Sequence, residues 1–293
     1  MKNKIKTIAI LPIGPDDPGI DTIESIFLYM DSVHIIAIDD SKNPSTKKLL
    51  QNIGERVTIL EPRGSGIRGG LWQSLAYAYN YAVENFDFEV LLRIDTDALV
   101  IGRGSEEEAI NAFSLDPKVG MLGSYKIDCN GDKLPRWIPA NVIWRESGIR
   151  GYFRNLERRK LLHGWIKLAR RNGYRLGEFV QGGSNFQSYA CIHSMVNKGF
   201  LNTTAIKDSE ISEDFIFSLL TVASGYRMAD FSTGNFPMGI RWRGLPDSPE
   251  NLIARKKKII HSIKFWNDMD QKSIREFFRQ QRLKEKSVHV SMK

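Results

Sequence analysis

Residues 88–104 read FEVLLRIDTDALVIGRG, an apolar run that ends in two aspartates one residue apart and then turns apolar again. Val90, Leu91, Leu92 and Ile94 have the character of a buried strand. A buried strand has no use of its own for two carboxylates at its end. Something beyond the run must compensate them.

The chain upstream repeats the pattern. IKTIAILPI (5–13) is a strand stopped by Gly14-Pro15-Asp16-Asp17-Pro18, and DTIESIFLYM (21–30) has helical spacing. VHIIAIDD (33–40) is a second strand ending in acids, and Lys42 to Gly54 has helical spacing. RVTILEP (56–62) is a third strand, GSGIRGG (64–70) a loop, and LWQSLAYAYNYAVENF (71–86) an Ala- and Leu-rich helix. Alternating strand and helix predict an α/β fold with a parallel, doubly wound sheet covered on both faces. Ligands of such sheets bind outside the carboxyl ends of the strands, so Asp39-Asp40 and Asp95-Thr96-Asp97 share one rim.

The second half is less regular. EEEAINAFSLDP (106–117) is a helix with an acidic first turn, and VGMLGSYKI (119–127) is a strand. A segment with Trp137, Trp144 and Trp165 among many arginines has helical spacing from Tyr152 to Arg171. EFVQGGSNFQSYACIHSMV (178–196) reads as strand, Gly-Gly turn and helix, and ISEDFIFSLLTVASGYR (211–227) as a helix with Ser212 at its N-cap. FSTGNFPMGIRWRGLPDSP (231–249) reads as a long polar-aromatic loop, and NLIARKKKIIHSIKFW (251–266) and beyond as helical.

With 293 residues, 42% hydrophobic and 26% charged, the chain suits one large domain with a full core, and disorder is excluded as its general state. Cys129 and Cys191 show neither disulfide nor zinc spacing, so a reducing, cytoplasmic compartment is expected. No run approaches the roughly 18 apolar residues of a membrane span. The net charge of +8 concentrates at residues 150–175 and from Arg255 onward. These clusters fit an anionic partner, such as phosphate groups or the inner face of an anionic membrane, or a solvated basic face. No nucleic-acid-binding pattern accompanies them, so no nucleic acid is expected.

On an extended strand Asp95 and Asp97 project to one face and repel unless a cation lies near. Mn2+ or Mg2+ suits them, being a hard ion that takes oxygen ligands and shares its shell with phosphates. An N-cap pair, or an acidic turn neutralised by Arg93 or Arg103, fits the same residues. Glu213 and Asp214 in ISEDF fit either a dipole-stabilising first turn or a catalytic pair. Gly182-Gly183 fits a turn of positive φ or a close backbone approach to a ligand, with Gln181 and Ser184 offering hydrogen bonds. Arg241, Trp242 and Arg243 fall in a loop whose Trp needs a partner or folds back onto the core, and His261 fits a metal ligand or a packing residue of an amphipathic helix.

In their order, these motifs resemble the GT-A glycosyltransferases over roughly residues 5–230. The resemblance implies a GT-A doubly wound mixed sheet in a single large catalytic domain, residues 1–240, with a loop and helical basic extension at 241–293. Residues 1–104 would be the nucleotide-sugar half and 105–240 the acceptor half. It also implies roles: Asp39 or Asp40 meets the nucleobase or ribose, and Arg68 the base or diphosphate. Asp97 holds the metal with Asp95, which also reaches the ribose, and His261 is the third ligand. Gly182 and Gly183 border the donor sugar, while Arg241 and Arg243 close over the diphosphate. Asp214 is then the base of an inverting transfer, with Glu213 bonding sugar hydroxyls. The implied partners are a nucleoside diphosphate sugar, with UDP as the expected carrier, and a glycan or lipid-linked acceptor.

A retaining GT-A enzyme and a nucleotidylyltransferase fit the same rim of acids. The second is disfavoured because PIGPDDPG (12–19), where its phosphate loop would lie, has no basic residue. A non-enzymatic protein binding an anionic surface through the basic clusters leaves the acidic strand ends unexplained.

Overall fold

The computed structural model of the protein describes residues 3–17, 19–40, 50 and 52–291. The helix expected from Lys42 to Gly54 therefore lies largely outside the described residues. The first half contains β1 (Asn3–Ile13), α1 (Gly19–Tyr29), β2 (Val33–Asp39), β3 (Val57–Leu60), α2 (Arg68–Asn85), β4 (Phe86–Ile94) and β5 (Ala98–Val100). Next come α3 (Ser105–Leu115), β6 (Val119–Gly123), α4 (Trp137–Ser147), α5 (Ile149–Arg154), α6 (Leu156–Arg171), β7 (Ser184–Ser188) and α7 (Tyr189–Asn197). The chain continues with α8 (Glu213–Ala223), β8 (Arg227–Asp230), β9 (Met238–Ile240), α9 (Pro249–Ala254) and β10 (Ile259–His261). It ends with β11 (Phe265–Trp266), β12 (Met269–Asp270) and α10 (Gln271–Ser291).

Seven strands form one sheet in the order β3-β2-β1-β4-β7-β6-β8. The first four are parallel, as the strand–helix alternation predicts. β7 runs antiparallel to both β4 and β6, and this one reversed strand makes the sheet mixed. Alternate side chains of β1 and β2 enter separate cores. Ile8, Ile10, Ile36 and Ile38 pack with Trp72 and Tyr79 of α2 and Phe217 of α8, whereas Ala9, Leu11, Ile35 and Ala37 pack with Ile23 and Ile26 of α1. Both faces are thus covered, which is why residues 8–11 of β1 and 35–38 of β2 are apolar in succession rather than alternating.

Several expectations need correction. The strand expected before Gly182-Gly183 follows them instead as β7, while the preceding segment contributes only the bridge between Val180 and Tyr125. The presumed polar-aromatic loop contains β9, and the tail expected to be helical from Asn251 contains β10, which pairs with β5 and β9. Only α9 and α10 are helical there, and His261 ends a buried strand instead of lying on an amphipathic helix. The span expected as one helix at Tyr152–Arg171 is broken at Asn155, whose side chain caps α6 by accepting from the Arg158 amide. No helix among the described residues is long and apolar enough to cross a membrane.

Candidate active site

A cleft of about 640 Å3 opens at the carboxyl ends of β1, β2 and β4. Asp40, Asp95, Asp97, Gly182, Gly183, Glu213, Asp214 and His261 line it. Asp39 is half-buried at the end of β2, outside that lining. Arg68, Arg241 and Arg243 also stand outside it: Arg68 is exposed at the start of α2, and the Arg243 guanidinium stacks 4.8 Å above the Trp242 ring. Trp242 itself reaches the cleft.

Asp95, Thr96 and Asp97 form a turn between β4 and β5, closed by the Ala98 amide donating to the Asp95 carbonyl at 3.0 Å. The extended geometry expected for them is therefore absent, and the two carboxylates converge through the turn. The Thr96 carbonyl is gripped by the Thr22 hydroxyl from α1 at 3.0 Å and by Arg275 from α10 at 2.8 Å. Their ligand oxygens and a ring nitrogen of His261 all lie within 4.8 Å of one another.

His261 is oriented for ligation. Its Nδ1 lies 2.9 Å from the Arg241 carbonyl, an acceptor only, so Nδ1 carries the proton and donates. Nε2 sits 3.3 Å from Asp97 Oδ1, a contact it makes as a protonated donor, and loss of that proton would free Nε2 as a metal ligand. On the other carboxylate oxygen of Asp97 lie Lys264 Nζ at 3.1 Å and the Ser262 hydroxyl at 3.2 Å. Burial works to raise the Asp97 carboxyl, but His261 and Lys264 outweigh it and hold that carboxyl well below its usual range. Two carboxylates and one imidazole are a donor set suited to a divalent ion such as Mn2+ or Mg2+.

The glycine pair separates this cluster from Asp214. Gly183 has φ +93°, and a methyl there would lie 2.4 Å from the His261 ring. A methyl on Gly182 would come 3.3 Å from Asp214 Oδ2, which also accepts from the Gly182 amide at 3.2 Å. The positive φ that the sequence offered as one alternative is present at Gly183, and the close neighbour there is the His261 ring.

Glu213 and Asp214 open α8, where acids complement the helix dipole. Ser212 occupies the N-cap position, but its side chain does not cap; the hydroxyl donates instead to Glu213 Oε2 at 3.0 Å. Burial, with the neighbouring charge of Glu213, raises the Asp214 carboxyl far above the usual aspartate value.

Between the two acidic groups lies Arg93, only 1% exposed on β4. Its Nη2 contacts Asp95 at 3.1 Å and Glu213 at 2.8 Å. Arg103, the other candidate for neutralising the turn, pairs with Asp31 instead. Arg93 thus compensates Asp95 in part, yet burial still leaves that carboxyl raised above its ordinary value. The sequence signal for its bridging role was the lone cation in an apolar strand. Lys264 and Arg275 carried no such signal, since both sit in basic stretches.

No protein-family model matches this chain, and no curated protein matches it.

Proposed function

We propose that the protein is a metal-dependent GT-A glycosyltransferase that moves a sugar, with inversion, from a nucleoside diphosphate sugar to a hydroxyl of a glycan or lipid-linked acceptor. The observation that carries this reading is the pairing, in one cleft, of a metal-suited group with a carboxylate of raised proton affinity across a glycine turn. Four parallel strands with acids at their carboxyl rim, joined to an antiparallel strand, agree with the mixed sheet that the motifs imply.

On this reading Asp95, Asp97 and His261 hold the ion, and Asp40 faces the nucleoside from the end of β2. When bound, a divalent ion supplies Lewis-acid neutralisation of the diphosphate. Asp214 accepts the proton of the attacking hydroxyl as that oxygen bonds to the anomeric carbon. The bond from that carbon to the diphosphate oxygen breaks, and its electron pair leaves with the diphosphate. A base with a value raised toward neutrality is matched to such a transfer. Arg93 fixes Glu213 and Asp95 relative to each other, so the two sides of the cleft keep their register.

The test is thermal unfolding of the full chain with UDP, GDP, CDP or ADP, each with and without Mn2+. A rise with one diphosphate that requires the metal supports the reading and names the carrier. No rise with any of the four overturns it.

A further inference from the structure

Of the fifteen large hydrophobic side chains exposed among the described residues, seven fall between Trp137 and Leu168. The most prominent are Trp144, Ile149 and Phe153, at 68%, 79% and 81% exposure. They lie on α4 and α5, two short helices that pack on each other. Arg145 near the end of α4 and Arg154 at the end of α5 share the single carboxylate of Glu210, at 2.8 and 2.9 Å, which draws these ends together. Tyr152 meets Phe153 edge-on at 5.4 Å, and Arg159 stacks over Tyr152.

Folding has not used these side chains. α6 faces the core through Leu162, Trp165, Ile166 and Ala169, so the apolar residues of α4 and α5 are additional to that packing. An apolar cluster of this kind on a surface marks an interaction site.

The charge around it is as uneven. Residues 136–175 carry eleven Lys and Arg against two Asp and Glu, a net +9 that exceeds the +8 of the whole chain. The remainder of the protein is therefore close to neutral, its basic tail from Arg255 onward being balanced by acids elsewhere in the chain. Aromatic and aliphatic side chains projecting among arginines match the two layers of an anionic bilayer surface, acyl boundary and headgroup. A nucleic acid would use the arginines and aromatics but leave Ile149 without a role.

We propose that α4, α5 and the start of α6 form a docking surface for an anionic phospholipid bilayer, into which Trp144, Ile149 and Phe153 insert. The surface adjoins the cleft, because Leu134, Pro135, Ile138 and Pro139, at and just before the first turn of α4, line the cleft itself. Docking holds the mouth of the cleft beside the membrane, whatever reaction the cleft performs.

The experiment is co-sedimentation of the full chain with vesicles of phosphatidylglycerol and phosphatidylcholine, and with vesicles of phosphatidylcholine alone. The protein pellets with the anionic vesicles, several-fold less as salt is raised, and little with the neutral ones. Ile149→Asp and Phe153→Asp each lower binding tenfold or more, whereas Leu115→Asp, at an exposed position on α3, leaves it unchanged. Each variant is checked for an unchanged unfolding temperature, which the large exposure of each position leads us to expect. Absence of pelleting with anionic vesicles overturns the proposal. So does pelleting that Ile149→Asp and Phe153→Asp leave intact, or a concentration-dependent dimer that the same variants dissolve. Salt-sensitive binding to RNA that persists in both variants, without vesicle binding, overturns it as well.

Discussion

Arg93 and Glu213, 120 residues apart in the chain, meet at 2.8 Å in the protein interior. The contact ties the strand that ends at the Asp95 turn to the helix that opens with Asp214. Arg93 Nη1 and Nε have no hydrogen-bond partner among the described residues, so its pairing there rests on Nη2 and the two acids. Removing the guanidinium strands two carboxylates in a poorly solvated place. Arg93→Met is expected to destabilise the fold by about 3–5 kcal/mol in urea unfolding. Adding Glu213→Gln returns part of that loss, because one stranded charge is gone. A single variant within about 1 kcal/mol of the parent would sink the idea that this pair is buried and uncompensated otherwise.

The metal group allows a direct check. Mn2+ alone is expected to raise the unfolding temperature of the parent, by mass action on the native state. Asp97→Asn abolishes that rise, and His261→Gln weakens Mn2+ affinity about tenfold or more. Both variants retain the fold at acidic pH, where the metal does not bind. Equal Mn2+ responses from the parent and both variants would remove these residues from any metal site.

The first four strands were legible because each is a short apolar or β-branched run followed by Gly, Pro or acidic residues. β7 was not. Its sequence, SNFQS, has four polar residues out of five, yet all five are buried. Some of those polar groups are served internally, since Gln187 donates to the Tyr79 hydroxyl at 2.7 Å and to Asn185 Oδ1 at 3.2 Å. Ser184 Oγ, Asn185 Nδ2 and Gln187 Oε1, by contrast, have no partner among the described residues. Hydrophobic periodicity has nothing to detect in such a strand. β10 escaped for a different reason. Ile259, Ile260 and His261 follow a basic run, and three residues are too few to separate strand from helix by spacing. The acids at the ends of β4 and β2 were visible as anomalies, whereas the distance relations that unite them with His261 and Arg93 exist only in three dimensions.

The glycine pair should respond unequally to a methyl group. Gly183→Ala forces an unfavourable φ and drives Cβ into the His261 ring, at a cost of about 1–3 kcal/mol from the backbone alone. It should also weaken Mn2+ binding, because the ring must move. Gly182→Ala meets the Asp214 side chain, no nearer than 3.3 Å at Oδ2 and without positive φ, so its effect on stability is smaller. Calorimetric titration of Mn2+ into both variants, alongside thermal unfolding, reads the order. Equal or reversed costs would mean that the turn relaxes away from the ring.

Asp214 makes stability depend on pH, and in the proposed role of base it gives activity the opposite dependence. Burial, reinforced by Glu213, moves its carboxyl from an ordinary 3.8 to about 7 in the folded protein. Between those values the folded state holds a proton that the unfolded state has released. The stabilising contribution is complete below the unfolded value and is lost as pH rises through the folded one. Asp214→Asn removes the titration, so the variant gains on the parent as pH rises from 4 to 8. Urea unfolding of the two proteins at both pH values measures the gap. The proposed transfer is expected to have the reverse dependence, because a base acts only when deprotonated. The parent's kcat/KM should fall on the acid side of about 7, and Asp214→Asn should lose about 100-fold or more while still binding the nucleoside diphosphate. A variant that keeps its rate, and whose stability parallels the parent's at both pH values, would reduce Asp214 to an ionised residue at the start of α8.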